Sequence, residues 1–186
     1  MKPVCFVLGA GAGIGGTSGR RFAKEGYHAV LCRRSDEDGL DRMVAAGHGE
    51  RPVIHTMIDG KKYSCTYRQL LVRANQIAHV LVRDLKLVPG NRVLLRGPNN
   101  PMMAACWFGV IKVGGIAVGS MPLLRAKELT QIVVKAQVSH ALCDARLAEE
   151  LTLARPGCPT LTQVLHFNSP EPGELDVRAA AKPASF

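Results

Sequence analysis

Short apolar runs alternate with helical segments along most of this 186-residue chain, and this alternation limits the fold more than any other feature. Val4 to Leu8, Ala29 to Cys32 and Arg92 to Leu95 are runs of the buried-strand type. Between and after them lie segments whose apolar residues recur with a 3.6-residue period. Strands that alternate with helices favour a layered α/β fold with a largely parallel sheet.

The spacing of individual residues predicts where several elements begin. Thr66 and Gln69 have the spacing of a capping box, so a helix is expected to start there. Pro101 after Asn100 predicts a second helix start, and Asp59-Gly60 predicts a hairpin turn. The hairpin strands are expected at Val53 to Met57 and Tyr63 to Thr66. Further helices are expected at 126–136 and 145–153, and further strands at 116–118 and 140–143.

Charge and cysteine spacing exclude several classes of function. The chain has 24 Lys+Arg against 15 Asp+Glu, but its cations never run beyond pairs, which favours solvated faces over a nucleic-acid interface. The six cysteines lie at least fifteen residues apart, so no CxxC zinc or redox site exists. The six histidines show neither HxH nor HExxH spacing. No metal site is predicted.

The chain is expected to be cytoplasmic and free of membrane spans. Its first residues lack the basic, apolar and small-residue order of a signal peptide, so reduced thiols are the natural inference. Residues 101–124 contain one charge, Lys112, and match a membrane span in length. Glycines and Pro122 interrupt this segment, which therefore indicates a buried helix, a turn and a strand.

A glycine-dense turn connects the first apolar run to the first helical segment. Only a backbone without side chains approaches a pyrophosphate closely enough for the helix N-terminus to bind it. The GxxxGxG pattern, followed after the second strand by a basic pair, resembles the short-chain dehydrogenase/reductase family in its NADP-preferring members. That resemblance implies NADP(H) binding through these residues: Gly9, Gly11, Gly13, Ile14, Gly15, Arg33 and Arg34. The structural alternative is a glycine turn that packs helix against strand and binds nothing.

The catalytic residues of that family are missing from the sequence. The family uses a tyrosine with a lysine four residues further on, where the cation lowers the pKa of the phenol. The three tyrosines of this chain are followed at that distance by Leu31, Tyr67 and Leu71. Dehydrogenase activity is therefore excluded, and no catalytic residue is predicted.

From about His48 onward the chain resembles the N-terminal region of the adenylate-forming acyl-CoA synthetase superfamily. The resemblance lies in YSCTYRQL at 63–70, VPGNRV at 88–93, GPNNP at 97–101, FGVIKVGG at 108–115 and MPLLRAKEL at 121–129. The stretch at 121–126 is most similar to aryl-CoA ligases that activate benzoate-type acids. The resemblance implies that a full member joins an aromatic or other carboxylic acid to ATP, with Mg²⁺, and transfers the acyl group to coenzyme A.

The parts of such a ligase that act on the phosphates are absent from the sequence. The Ser/Thr/Gly-rich loop that ends in Pro-Lys lies downstream of the region present in this chain. Gly16-Thr17-Ser18-Gly19 has a similar composition, but Arg20-Arg21 follow it in place of Pro-Lys. We therefore expect a ligase fragment that is inactive alone.

These observations predict an α/β chain built from two incomplete layered units. Residues 1–45 form a Rossmann-like dinucleotide-binding fragment, residues 46–166 form the ligase fragment, and residues 167–186 form a loop-like tail. Two other interpretations remain open: an NADP(H)-binding module, and an interaction or non-functional fusion product. Sheets that lack their neighbours leave apolar faces uncovered, which favours self-association.

Overall fold

The computed structural model describes residues 4–8, 14–26, 28–32, 39–58 and 61–186. The predicted α/β class is confirmed, with a β-α-β unit, a hairpin and a four-stranded parallel sheet. The strands are β1 (Val4–Leu8), β2 (His28–Cys32), β3 (Pro52–Ile58), β4 (Lys61–Thr66), β5 (Arg92–Arg96), β6 (Ile116–Ser120), β7 (His140–Asp144) and β8 (Gln163–Phe167). The α-helices are α1 (Ile14–Lys24), α2 (Leu40–Met43), α3 (Tyr67–His79), α4 (Pro101–Lys112), α5 (Ala126–Ala136), α6 (Ala148–Ala154) and α7 (Leu175–Ala180).

The first unit is a parallel pair of strands joined by a helix. β1 and β2 pair in register from Val4 with His28 to Leu8 with Cys32, and α1 connects them. Ile14 and Gly15 begin α1. The other residues predicted for the dinucleotide site lie outside the described residues: Gly9, Gly11, Gly13, Arg33 and Arg34.

The second unit contains a parallel sheet in the order β6-β5-β7-β8, in which the two central strands, β5 and β7, are largely buried. Successive side chains of a strand point to opposite faces, so Leu95 and Leu142 join a core with α3, α4 and α7. Leu94, Ala141 and Cys143 join a second core with α5 and α6 on the other side. The antiparallel hairpin of β3 and β4 adds Val53 and Cys65 to the first core.

Local signals place the starts of α3 and α4 where the sequence predicts them. Thr66 accepts a hydrogen bond from the N–H of Gln69, and the Gln69 side chain accepts one from the N–H of Thr66. Asn100 Oδ1 accepts a hydrogen bond from Met103 N at 2.9 Å, with Pro101 in the first helical position. The two helices then pack together at Gly109, where an added Cβ would lie 2.8 Å from Cγ2 of Ile77.

Residues 167–186 are not the loop that their composition predicts. Phe167 ends β8, and α7 follows, with Leu175 and Ala179 fully buried in the first core. These two residues lie four apart and so share one helix face. A six-residue helix between prolines is too short to show a periodic pattern, so the sequence does not predict it.

The segment that matches a membrane span in length contains α4 and β6 instead. Within the described residues, no helix is both long and apolar enough to cross a membrane.

Candidate functional site

The strand order creates a crevice at one edge of the parallel sheet. The carboxyl ends of all four strands lie at this edge, because the strands are parallel. After β5 the chain passes to β6 on one side, and after β7 it passes to β8 on the other. The connections therefore diverge between β5 and β7. In open α/β sheets, ligands bind at such a switch point.

A cavity of about 610 Å³ lies at this switch point. Its walls come from the hairpin, the connection between β5 and α4, and the carboxyl ends of β7 and β8. The lining residues are Thr56, Met57, Tyr63, Pro98, Asn99, Asn100, Pro101, Met102, Arg146 and Asn168. We call this space the switch-point cavity.

Asp144 holds two side chains that line the switch-point cavity, those of Arg146 and Asn168. Its carboxylate is fully buried and accepts hydrogen bonds from Arg146 N at 3.0 Å, Nε at 2.9 Å and Nη2 at 2.9 Å. It also accepts one from Asn168 Nδ2 at 2.7 Å. Burial raises the pKa of the Asp144 carboxyl, but the donors on Arg146 and Asn168 outweigh that effect, and the pKa lies below its ordinary value. One ionised side chain thus joins the ends of β7 and β8.

The connection from β5 to α4 is held close to β8. A Cβ added at Gly97 would lie 2.6 Å from Cζ of Phe167, so the backbone approaches the ring as only glycine allows. Asn100 then caps α4 with its side chain. The loop between these residues consequently forms a fixed wall of the cavity.

A buried arginine fixes the loop between β6 and α5 at the same edge. Arg96 is 1% exposed and donates from Nη1 to Met121 O at 3.0 Å. Its Nη2 donates to Pro122 O at 3.1 Å and to Leu124 O at 2.9 Å. The carbonyl of Leu147, after β7, lies 3.4 Å from Nε. A single guanidinium on β5 therefore holds together the connections that leave β6 and β7, the strands on either side of β5.

Glu150 fixes the far end of that loop. Its carboxylate accepts hydrogen bonds from Arg125 Nη1 at 2.7 Å and from Ala126 N, at the start of α5, at 2.8 Å. The hydrogen bond from Arg125 is the main reason that the pKa of Glu150 is lowered. The loop at 121–125 is thus held by the guanidinium of Arg96 on one side and by the carboxylate of Glu150 at its end.

A second cavity, of about 480 Å³, adjoins the first and is mainly apolar. The two share Thr56, Asn99 and Asn100 as a common wall. Ile54, His55, Met103, Ala104, Trp107 and Phe108 complete the lining. The sequence favours Trp107 and Met103 as core residues; both pack against the first core and also face this cavity.

The lining of the switch-point cavity does not fit the triphosphate of ATP with its magnesium. Phosphoryl chemistry needs several donors and cations around the phosphates. Arg146 is the single cationic side chain among the described lining residues, and Asp144 already pairs with its guanidinium. Nor do the described residues include three His, Cys, Asp or Glu side chains grouped to hold a metal. These side chains supply no phosphate clamp.

The arrangement defines a class of protein: a parallel α/β domain with a crevice at its switch point. The family model for "AMP-binding enzyme" matches residues 42–185. The chain belongs to the AMP-binding enzyme family. The match begins after β2, so the β-α-β unit lies outside it.

Two curated relatives are ligases that act on aromatic acids. The salicyl-AMP ligase/salicyl-S-ArCP synthetase of Mycobacterium tuberculosis is 31% identical over 140 residues, which cover 71% of this chain and 23% of the relative. The 2-hydroxy-7-methoxy-5-methyl-1-naphthoate–CoA ligase of Streptomyces carzinostaticus is 27% identical over 176 residues, which cover 79% of this chain and 30% of the relative. The chain thus spans less than a third of these relatives.

Solved structures share the fold of this chain. An anthranilate CoA ligase in complex with anthranoyl-AMP superposes with a TM-score of 0.68 at 19% identity, over 79% of this chain and 27% of that one. The N-terminal domain of a Mycobacterium tuberculosis protein named FACL13 gives a TM-score of 0.64 at 22% identity, over 78% and 36%.

Proposed function

We propose that the chain is an N-terminal part of an AMP-forming ligase for carboxylic acids, and that it does not adenylate an acid by itself. The family match over residues 42–185 carries this proposal. The uncharged character of the switch-point cavity, apart from the paired Arg146, supports the second half of it. In the full family, ATP, Mg²⁺ and coenzyme A would be bound mainly by sequence that this chain does not contain.

We infer that the acid is aromatic. The two ligases described above carry an aromatic acid in their names, and the stretch at 121–126 is similar to aryl-CoA ligases. The substrate class belongs to the whole ligase rather than to the residues of this chain.

The test measures pyrophosphate exchange into ATP with benzoate or salicylate as the acid. We expect no exchange by the 186-residue chain. We expect exchange by a fusion in which residues 42–185 replace the matched segment of the Mycobacterium tuberculosis salicyl-AMP ligase. The matched control is the same fusion with the lysine of its phosphate loop changed to alanine.

Two results would overturn the proposal. Exchange by the chain alone would show that it holds a phosphate site of its own. A fusion that is folded by circular dichroism and gel filtration but inactive would show that residues 42–185 do not serve as a ligase segment.

A second candidate function is NADP(H) binding by the first unit. One observation favours it: β1 and β2 are parallel, and α1 begins at Ile14, within the glycine-rich sequence at 9–16. We expect NADPH fluorescence to change on titration with the chain and not with the Gly13→Asp variant. Replacing Arg33 and Arg34 by serine is expected to remove a preference for NADPH over NADH. Absence of binding by the parent chain would refute this candidate.

We further propose that the first unit ends before Leu40, a few residues ahead of the boundary at 45 that the sequence suggests. Leu40 is buried in the core of the second unit. The Asp41 carboxylate pairs with Lys112 Nζ at the end of α4, at 2.6 Å. Residues 40–45 would then unfold with the second unit, which hydrogen exchange measures directly.

A further inference from the structure

One face of α3 contacts residues 182–186, which follow the turn at the end of α7 and which we call the strap. Asn75 Nδ2 donates to Ala184 O at 2.7 Å, and His79 Nε2 donates to Ser185 O at 2.7 Å. Gln76 Nε2 donates to Lys182 O at 3.3 Å. Three side chains within little more than one helical turn thus bind three carbonyls of the strap.

All three of these hydrogen bonds end on main-chain oxygens. A carbonyl only accepts, so the bond to Ser185 places a proton on Nε2 of His79. Asn75 and His79 are 4% and 6% exposed, so their donors would be costly to leave unpaired. Recognition through carbonyls does not depend on which side chains the strap carries. The α3 face therefore recognises peptide backbone rather than a sequence.

A buried acceptor on the same face points to the same kind of occupant. Asn75 Oδ1 is buried and has no hydrogen-bond partner among the described residues. A carboxamide group presents one acceptor beside its donor, which is the complement of a peptide N–H and C=O. A peptide that shifts slightly along α3 can satisfy both atoms of Asn75.

The two ends of the strap have anchors of a different kind. Lys182 Nζ pairs with Asp84 Oδ1 at 2.6 Å, just after α3. At the other end, the Phe186 ring meets the His79 ring edge-on with centroids 4.8 Å apart. These contacts set the direction of the strap, while the carbonyl bonds hold its middle.

We propose that the α3 face formed by Asn75, Gln76 and His79 is a binding site for peptide backbone, and that residues 182–186 are its resident occupant. The strap is held by its carbonyls and detaches as a unit. This inference is independent of the ligase function.

The experiment measures how fast carboxypeptidase A releases Phe186 from the 186-residue chain. When docking is fast, proteolysis follows the population of the open form. We expect release to be about tenfold faster in the Asn75→Leu and His79→Phe variants, which corresponds to about 1.4 kcal/mol of docking. Phenylalanine at 79 keeps an aromatic ring against Phe186 and removes only the donor.

Two further variants separate backbone recognition from simple packing. His79→Gln restores an N–H donor and is expected to return release toward the parent rate. Ala184→Ser changes a strap side chain and is expected to leave the rate unchanged. Each rate is divided by that of the free pentapeptide of the same sequence, which removes the preference of the protease.

Parent-like release in His79→Phe, or rapid release in Ala184→Ser, would overturn the proposal. Urea midpoints identify any variant that is globally unfolded. If Asn75→Leu is unfolded, Gln76→Met takes its place, since it removes a donor at a more exposed position.

Discussion

Replacing Arg96 by methionine should loosen the loop between β6 and α5 and lower the stability of the second unit. Methionine keeps the length and much of the volume of the arginine stem. It removes the guanidinium that binds the carbonyls of Met121, Pro122 and Leu124. Leu124 N also donates to Met121 O at 3.2 Å within the loop, but the bonds that tie all three carbonyls to β5 are lost, so the loop is expected to open.

The size of the effect follows from two opposing contributions. Hydrogen bonds to charged groups contribute about 1.5–3 kcal/mol each, and three short ones are lost. Against this, the buried cation itself cost several kcal/mol to remove from water, and that cost disappears. Met121 and Leu123 are 62% and 82% exposed, so water reaches the opened loop. Hydrogen bonds from this water replace part of what the three carbonyls lose. We expect a net loss of about 2–4 kcal/mol in the free energy of unfolding.

Urea unfolding followed by fluorescence of Trp107, the single tryptophan, measures this loss. The matched control is Arg92→Met, because Arg92 lies on the same strand and is exposed. The control should change stability by less than about 0.5 kcal/mol. Trypsin should also cut the Arg96→Met variant faster after Arg125. A variant as stable and as resistant as the control would refute the reasoning.

Three other changes test separate parts of the fold. Gly109→Ala should destabilise by about 1–2 kcal/mol, because the new methyl group meets fully buried Ile77; a raised urea midpoint would contradict this. Thr66→Ala should cost about 1 kcal/mol by leaving Gln69 N without its cap, while Thr66→Ser should cost less. The pKa of Asp144 is lowered in the folded state, so its ionised carboxylate stabilises the fold above the ordinary carboxyl pKa. This stabilisation is lost as pH falls from that value towards the lower pKa of the folded state. Stability should therefore fall more between pH 5 and 3 in the parent than in Asp144→Asn, as measured by urea midpoints.

The elements that could be predicted from sequence are those whose signals are local. The capping box of Thr66 with Gln69 and the Asn100-Pro101 start both depend on residues within one helical turn. The alternation of strand and helix, likewise, predicted the parallel sheet because each βα unit is short. Such signals do not require knowledge of where distant parts of the chain meet.

The site was harder to predict because its contacts are distant or made by backbone. Arg96 binds carbonyls 25 to 28 residues away, and a carbonyl leaves no trace in the side-chain pattern. Asp144 gave a partial signal, since its bond to Arg146 N is a local turn, but its bond to Asn168 spans 24 residues. The contact between α3 and the strap could not be predicted for the same reason, because the residues that it joins lie more than 100 residues apart in the sequence.

The two outer strands of the parallel sheet, β6 and β8, differ in whether their free edges are available to pair with an additional strand. At β8, the Glu174 carboxylate accepts hydrogen bonds from both the backbone N–H and Nδ1 of His166. An incoming strand would have to displace that carboxylate and leave it without its donors. Among the described residues, β6 pairs on one side only, with β5. A further strand would therefore pair more readily beside β6 than beside β8, where it would compete with Glu174 for the backbone N–H of His166.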